Sequence, residues 1–291
     1  MKGLERLCAG PNQTDWIAVG PERASQNGVQ RIEACFASHG YDPHRHDTYS
    51  LGFTIAGVQS FDYRGARRDS LPGQAIVLHP DEVHDGRAGN ELGFHYRMLY
   101  IEPRLVQAAL GEKASTLPFI KNAVSNDALL QSSISAALDD LSRPLEPLEV
   151  DQLVLTLSDA MLRLDSGAQT RKATVSSSFA VKAVERAREL IDAEAIRGVS
   201  SAEIERCTGL DRYELCRHFR RLLGTSPHRY LTLRRLTHAK EGIETGQALG
   251  EVAHDCGFAD QSHMTRAFKR AFGMPPGQYQ TLVANGRSAG L

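Results

Sequence analysis

The pattern of apolar and polar positions changes character once along the chain. Over residues 29–103, short runs rich in Val, Ile, Phe and Tyr are cut by Gly40, Gly57, Gly65, Pro72-Gly73, Pro80-Asp81, Gly86 and Gly89. Several short strands with such punctuation predict a sandwich or barrel. Residues 51–63 read as two strands around Gly57, and 74–79 and 94–101 as two more. After Pro103 the period becomes helical. Asn126-Asp127 is an N-cap signal for a helix over 128–141, and Pro144 and Pro147 then break the chain. A second helix over 148–164 carries Leu153, Leu157, Met161 and Leu164 at helical spacing, with Val150, Val154 and Leu162 as a second stripe. A face that broad predicts packing on the barrel or on a second subunit. Residues 165–178 are small and polar and read as a linker. The pattern beyond is helical to the end, so the expected division is 1–165, a linker at 166–178, and 179–291. The fold class expected is α+β in two domains, a β-barrel followed by helices and then an all-α unit.

Within the helical unit one plan occurs twice. Residues 201–210 and then 211–224 form a short helix, a turn at Gly209 and a longer helix opened by Asp211. Residues 249–258 and then 260–273 repeat it with Gly257 and Asp260. Glycine allows the positive φ of a steep turn, and Asp caps the free N–H groups of the next helix. Leu215, Phe219 and Leu222 make the inner face of the first long helix; Met264, Phe268 and Phe272 make that of the second. The opposite faces hold Tyr213, Arg217, Arg220 and Arg221, and Gln261, Ser262, Thr265, Arg266, Lys269 and Arg270. Arg, Gln and Thr read base edges in the major groove, and flanking cations suit phosphates. One such helix is ordinarily a solvated face, but two with the same placement predict a DNA reader. Between the units, residues 227–245 form a Pro-started helix of about 28 Å, near the ~34 Å repeat of the groove.

Composition sharpens this division. Net charge is −1, but residues 1–175 hold 17 Lys and Arg against 22 Asp and Glu, while 176–291 hold 17 against 13. The C-terminal unit is therefore the one that meets an acidic partner. Five cysteines (Cys8, Cys35, Cys207, Cys216, Cys256) show no Cys-x-x-Cys spacing, so neither a zinc ribbon nor a disulfide framework is expected. No apolar run approaches ~20 residues, and Glu5 and Arg6 occupy the start, so the expectation is a cytoplasmic protein without a membrane partner.

The stretch GFADQSHMTRAFKRAFGMPPGQYQ, residues 257–280, closely resembles the signature of the AraC-type transcription regulators. LDRYELCRHFRRLLGTSPHRYLTLRRLTHAK is similar to that family's first helix–turn–helix unit and linker helix. Gly242 stands where the family usually has leucine, and Asp260 and His263 take variable positions. The resemblance implies double-stranded DNA as partner, a small-molecule effector, a homodimer, and RNA polymerase. It also implies that Arg217 and Arg266 read bases with Tyr213, Gln261, Ser262 and Thr265, while Arg220, Arg221, Lys269 and Arg270 hold phosphates.

The front half carries His44, Arg45 and His46, then His79 to His84, and resembles the two motifs of a cupin barrel. His44 and His46 at i and i+2 share one strand face. His84 takes the second-motif place, and Ser50 stands where metal-binding cupins carry a carboxylate. His44, His46 and His84 are therefore expected to converge and contact an effector, with no metal or other cofactor assigned, although three imidazoles alone are a competent ligand set. Leu51, Phe53 and Ile55 alternate as candidate wall residues, and His39 and His79 read as structural. The function expected is a non-enzymatic, effector-controlled, sequence-specific regulator. The alternatives are a metal-dependent cupin enzyme fused to a DNA-binding tail and a DNA binder without effector.

Overall fold

A computed structural model describes residues 14–114, 116–167 and 178–288. The front half contains β1 (Trp16–Val19), α1 (Ala24–Asn27), β2 (Val29–Phe36), β3 (His39–His44), β4 (Tyr49–Gly57), β5 (Gln59–Tyr63), β6 (Ala66–Ser70), β7 (Ala75–Leu78), β8 (His84–Ala88), β9 (Phe94–Ile101), α2 (Pro103–Leu110), β10 (Val124–Ser125), α3 (Ala128–Ala137) and α4 (Pro147–Leu164). The strands form two sheets, ordered β1-β2-β9-β4-β7-β10 and β3-β8-β5-β6. They lie as a cupin-like sandwich, and the ladders do not close into one continuous barrel. The chain changes sheet at Gly57, where β4 ends and β5 begins.

Alternation assigns the two faces of β4 and β9. Tyr96 and Met98 enter the interior between the sheets, in the cluster that holds Phe61 and Leu78. Leu51 and Phe53 point the other way, into a second cluster with α2, α3 and α4. They are therefore not wall residues of the barrel interior, because the helical layer gives the outer face a core of its own.

The helix over 128–141 starts as expected, with Asp127 accepting from the Leu130 N–H at 2.9 Å. It ends at Ala137, sooner than its apolar pattern suggests. Arginines take the carbonyls there: Arg31 binds those of Ala137, Asp140 and Arg143, and Arg97 those of Leu138 and Asp139. Buried Arg31 is in turn neutralised by Glu22. α4 opens with Pro147 and a Glu146/Glu149 capping box, where the proline lacks only an N–H that would be unpaired anyway.

The C-terminal half consists of α5 (Ser178–Ala193), α6 (Ser201–Thr208), α7 (Arg212–Leu223), α8 (Pro227–Glu244), α9 (Leu249–Asp255), α10 (Gln261–Phe272) and α11 (Pro276–Ser288). Helix–turn–helix units α6–α7 and α9–α10 flank α8, which continues unbroken through Gly242. Asp211 and Asp260 cap their helices as expected. At Gly257, φ is 74°, and a Cβ there would come within 2.2 Å of the Ile196 carbonyl, so the turn admits no other residue without distortion. The linker assigned to 166–178 falls mostly outside the described residues. Cys207, Cys216 and Cys256 are free thiols, whereas Cys35 is disulfide-bonded, a single bridge rather than a framework. No described helix is long and apolar enough to cross a membrane.

The two halves share a core. α5, α6 and α7 pack as a separate cluster. α8 to α11, however, continue the sandwich interior: Leu236, Phe268 and Leu282 belong to the same buried cluster as Ile17, Phe36 and Phe94.

Candidate functional site

Register builds the histidine site. The antiparallel pairing of β3 with β8 sets His44 opposite His84, and His46 follows two residues beyond. Ring centroids lie 4.3 Å apart for His44–His84, 4.9 Å for His46–His84 and 5.9 Å for His44–His46. All three are buried, so the expected convergence is present. Each Nδ1 faces a backbone carbonyl: Asp42 at 2.8 Å, Thr48 at 3.1 Å and Glu82 at 3.0 Å. A carbonyl only accepts, so each Nδ1 carries the proton and each Nε2 offers a lone pair. Ser50 Oγ lies 3.2 Å from His46 Nε2, as its donor. Burial pulls all three imidazoles below the ordinary range, His84 to about 4, so they are neutral near pH 7. His79 is structural, with Nδ1 on Tyr63 and Nε2 accepting from the Ile120 N–H. His39 is exposed beside Asp42.

His44 and His46 form part of the lining of a cavity of about 70 Å³ between the sandwich mouth and α8, α10 and α11. From α8, Lys240 enters it. Its ammonium donates to Gln30 Oε1 at 2.6 Å and stands 5.2–5.6 Å from the rings of Tyr100, Phe272 and Tyr279. Burial lowers its pKa, against the pull of Glu244 and Glu241. One turn and a half earlier, Arg234 spans Asp47 at 2.9 Å and Glu102, with its guanidinium 4.8 Å from the Tyr230 ring. Sequence reasoning missed both cations. The available signal was a lysine and an arginine six residues apart on a helix already read as a spacer.

The residues expected to face DNA fall on two helices, α7 and α10. Tyr213 is 65% exposed. Arg217, Arg220, Gln261, Ser262, Arg266, Lys269 and Arg270 are exposed, and Arg221 and Thr265 half-buried. The last turn of α10 is also seated on β3. Lys269 pairs with Asp42 at 2.7 Å, the Asp42 N–H donates to the Gly273 carbonyl at 2.8 Å, and the Arg45 N–H donates to that of Arg270. Arg229 of α8 adds Asp81 at 2.9 Å and the Arg45 carbonyl at 2.7 Å. A side chain at Gly273 would come 2.6 Å from His44 Nδ1, so the close seating needs glycine.

A front domain with a buried polar site, joined to two helix–turn–helix units, defines a ligand-binding DNA regulator. Residues 26–158 match the AraC-like ligand binding domain, and residues 204–281 match a helix-turn-helix domain family. The chain is 27% identical over 227 residues to the HTH-type transcriptional regulator YbfI of Bacillus subtilis, covering 76% of this chain and 80% of that one. It is 30% identical over 131 residues to the transcriptional activator RhaR of Klebsiella pneumoniae, covering 44% and 43%. A structure of ToxT from Vibrio cholerae superposes with a TM-score of 0.63 at 12% identity, over 87% of this chain and 98% of that one. A fatty-acid-bound ToxT structure does so at 0.59 and 14%, over 95% and 98%. The chain has the two-domain plan of the AraC-type transcription regulators, an AraC-like ligand-binding domain followed by a helix-turn-helix domain.

Proposed function

We propose that this regulator binds its effector in the cavity between the sandwich and α8, α10 and α11, against His44 and His46, with His84 packed beside them, and under Lys240. A small acid with an apolar body suits that site, because an ammonium ringed by three aromatic faces meets both needs. The ToxT structure with a bound unsaturated fatty acid supports this choice of ligand class. The observation that carries the reading is the seating of α10 on β3, since it couples effector site and DNA reader through one contact. An effector that binds seated and released states unequally shifts their populations. The reading includes no catalytic step, because Ser50 rather than a carboxylate accompanies the triad. The domain limits stay at 1–165 and 179–291, and RNA polymerase is the further partner. Self-association is assigned to the exposed side of α4, where Leu148 and Leu155 stand open to solvent.

Selection of bound DNA from a random pool gives the consensus on which the roles are tested. Arg266→Ala should relax preference at one position and cost about 1–3 kcal/mol there. Arg220→Ala should weaken all sites alike and flatten the salt slope by about one. Equal, sequence-independent losses in both variants would contradict the assignment. Asp42→Asn, which frees Lys269, should raise effector-free DNA affinity several-fold in fluorescence anisotropy, and unchanged affinity would argue against the seated state as the weaker binder.

A further inference from the structure

The histidine triad has a feature that contact with an organic effector does not require. Three carbonyls, from Asp42, Thr48 and Glu82, take the three Nδ1 protons. Three lone pairs are thereby turned toward one another in a buried corner, with the ligand-capable nitrogens all within 4.8 Å. Among the described residues, Ser50 is the donor to His46 Nε2, and no protein hydrogen bond reaches Nε2 of His44 or His84. Acceptors that converge without a protein donor are left to water or to a cation, and three of them at one place can share a single cation. A carbonyl on the remote nitrogen is also the arrangement that orients an imidazole and raises its basicity for a metal.

We infer that His44, His46 and His84 together hold one divalent transition-metal ion. The donor set selects the class of ion. Three neutral imidazoles without thiolate or carboxylate suit zinc, nickel, copper or iron(II), and are a poor set for magnesium or calcium, which take oxygen ligands. Imidazole nitrogens bind zinc at ~2.0–2.1 Å, which needs the three rings to draw in from their present spread. Ser50, in place of a carboxylate, leaves a neutral set with room for a water or a ligand atom.

The position of the ion also connects it to the DNA reader. Asp42 gives its carbonyl to His44, its N–H to the Gly273 carbonyl and its carboxylate to Lys269. An ion that fixes His44 therefore stiffens the strand on which the last turn of α10 sits. This assignment stands on the triad alone and does not depend on the effector proposed above.

The test uses the full chain without an affinity tag, stripped with chelator and dialysed, with neither DNA nor effector present. Cobalt(II) is the probe. One equivalent should bind and give the visible d–d absorption of a low-coordinate nitrogen site, which zinc then displaces. The thermal midpoint should rise with metal concentration, as for any ligand of the native state. His84→Ala should lower cobalt affinity by more than about 100-fold, beyond the 10–100-fold typical of losing an outer partner. His84→Asp, which keeps a donor atom at that place, should retain stoichiometric binding, so a folding failure of the alanine variant does not decide the matter. Absence of cobalt binding to the wild-type chain would overturn the assignment. So would stoichiometric binding that persists with all three histidines replaced by alanine. Either failure would leave the effector reading to be judged by DNA affinity alone.

Discussion

Replacing Arg234 by alanine should destabilise the protein by about 3–5 kcal/mol, the usual cost of removing one partner from a buried ion pair. Arg234 is 8% exposed and lies between Asp47 at 2.9 Å and Glu102. Both carboxylates are themselves buried. Desolvation already raises the pKa of Asp47, and Arg234 is the cation that opposes it. Glu102 keeps Arg104 as a second partner, so the stranded charge is that of Asp47. Without Arg234 the chain has two ways out, and both cost stability. It protonates Asp47, or it opens the contact between α8 and the sandwich and lets water in. The second route separates the halves, so effector-free DNA affinity should rise while the urea midpoint falls. Arg234→Met combined with Asp47→Leu removes both charges and keeps volume, and should recover most of the stability. Because the chain has two units, unfolding should be followed by two probes, Trp16 emission for the sandwich and far-ultraviolet ellipticity for the helices. An unchanged midpoint in Arg234→Ala would show that the contact is solvated and not an anchor.

Some elements are legible in sequence because local chemistry determines them. The strand at Phe94–Ile101 and the caps at Asp127, Asp211 and Asp260 follow from alternation and from side chains that satisfy N–H groups within three residues. The His44–His46 pair was legible because a two-residue spacing predicts a shared face, whereas the place of His84 came from the cupin resemblance and depends on the β3–β8 register. What was not legible depends on the far side of the molecule. β6 (ARRDS) reads as loop, because an edge strand with mostly exposed residues keeps little apolar alternation. The end of α3 depends on Arg31 and Arg97, two strand residues that reach the helix carbonyls from another layer. The outward direction of Leu51 depends on helices that come later in the chain. The same holds for Arg234 and Asp47, 187 residues apart. Each looks like a solvated surface charge until the other half of the chain covers it. Gly242 stands in α8 where the family usually has leucine, yet the helix is intact there. A Cβ at that position would meet only the movable end of the exposed Gln247 side chain at 2.7 Å and Val252 Cγ2 at 3.3 Å, so the site tolerates glycine without depending on it.

The second large effect is expected on α4, whose broad apolar face, open in the sequence between the barrel and a second subunit, is used internally by the fold. Leu157 is fully buried, in one cluster with Val106, Leu110, Leu130 and Ile134, and Leu153 packs at its edge. Leu157→Glu removes ~1.5–3 kcal/mol of apolar burial and puts a carboxylate where no partner waits, for a total above about 4 kcal/mol. Against a typical reserve of about 5–15 kcal/mol, that variant should melt far below the wild type or fail to accumulate as soluble protein. Loss of dimers in such a protein would report unfolding and nothing about an interface. The informative pair is Leu148, 81% exposed, and Leu155, 38% exposed, one heptad apart and therefore on nearly the same face of the helix. Leu148→Glu with Leu155→Glu should change stability by no more than about 0.5 kcal/mol each, as surface substitutions do. The same double variant should turn a micromolar dimer into a monomer in sedimentation equilibrium, because two such seams brought together by a two-fold axis would oppose four carboxylates. A wild type already monomeric at micromolar concentration, or a double variant that stays dimeric with an unchanged melting curve, would remove α4 from the association surface.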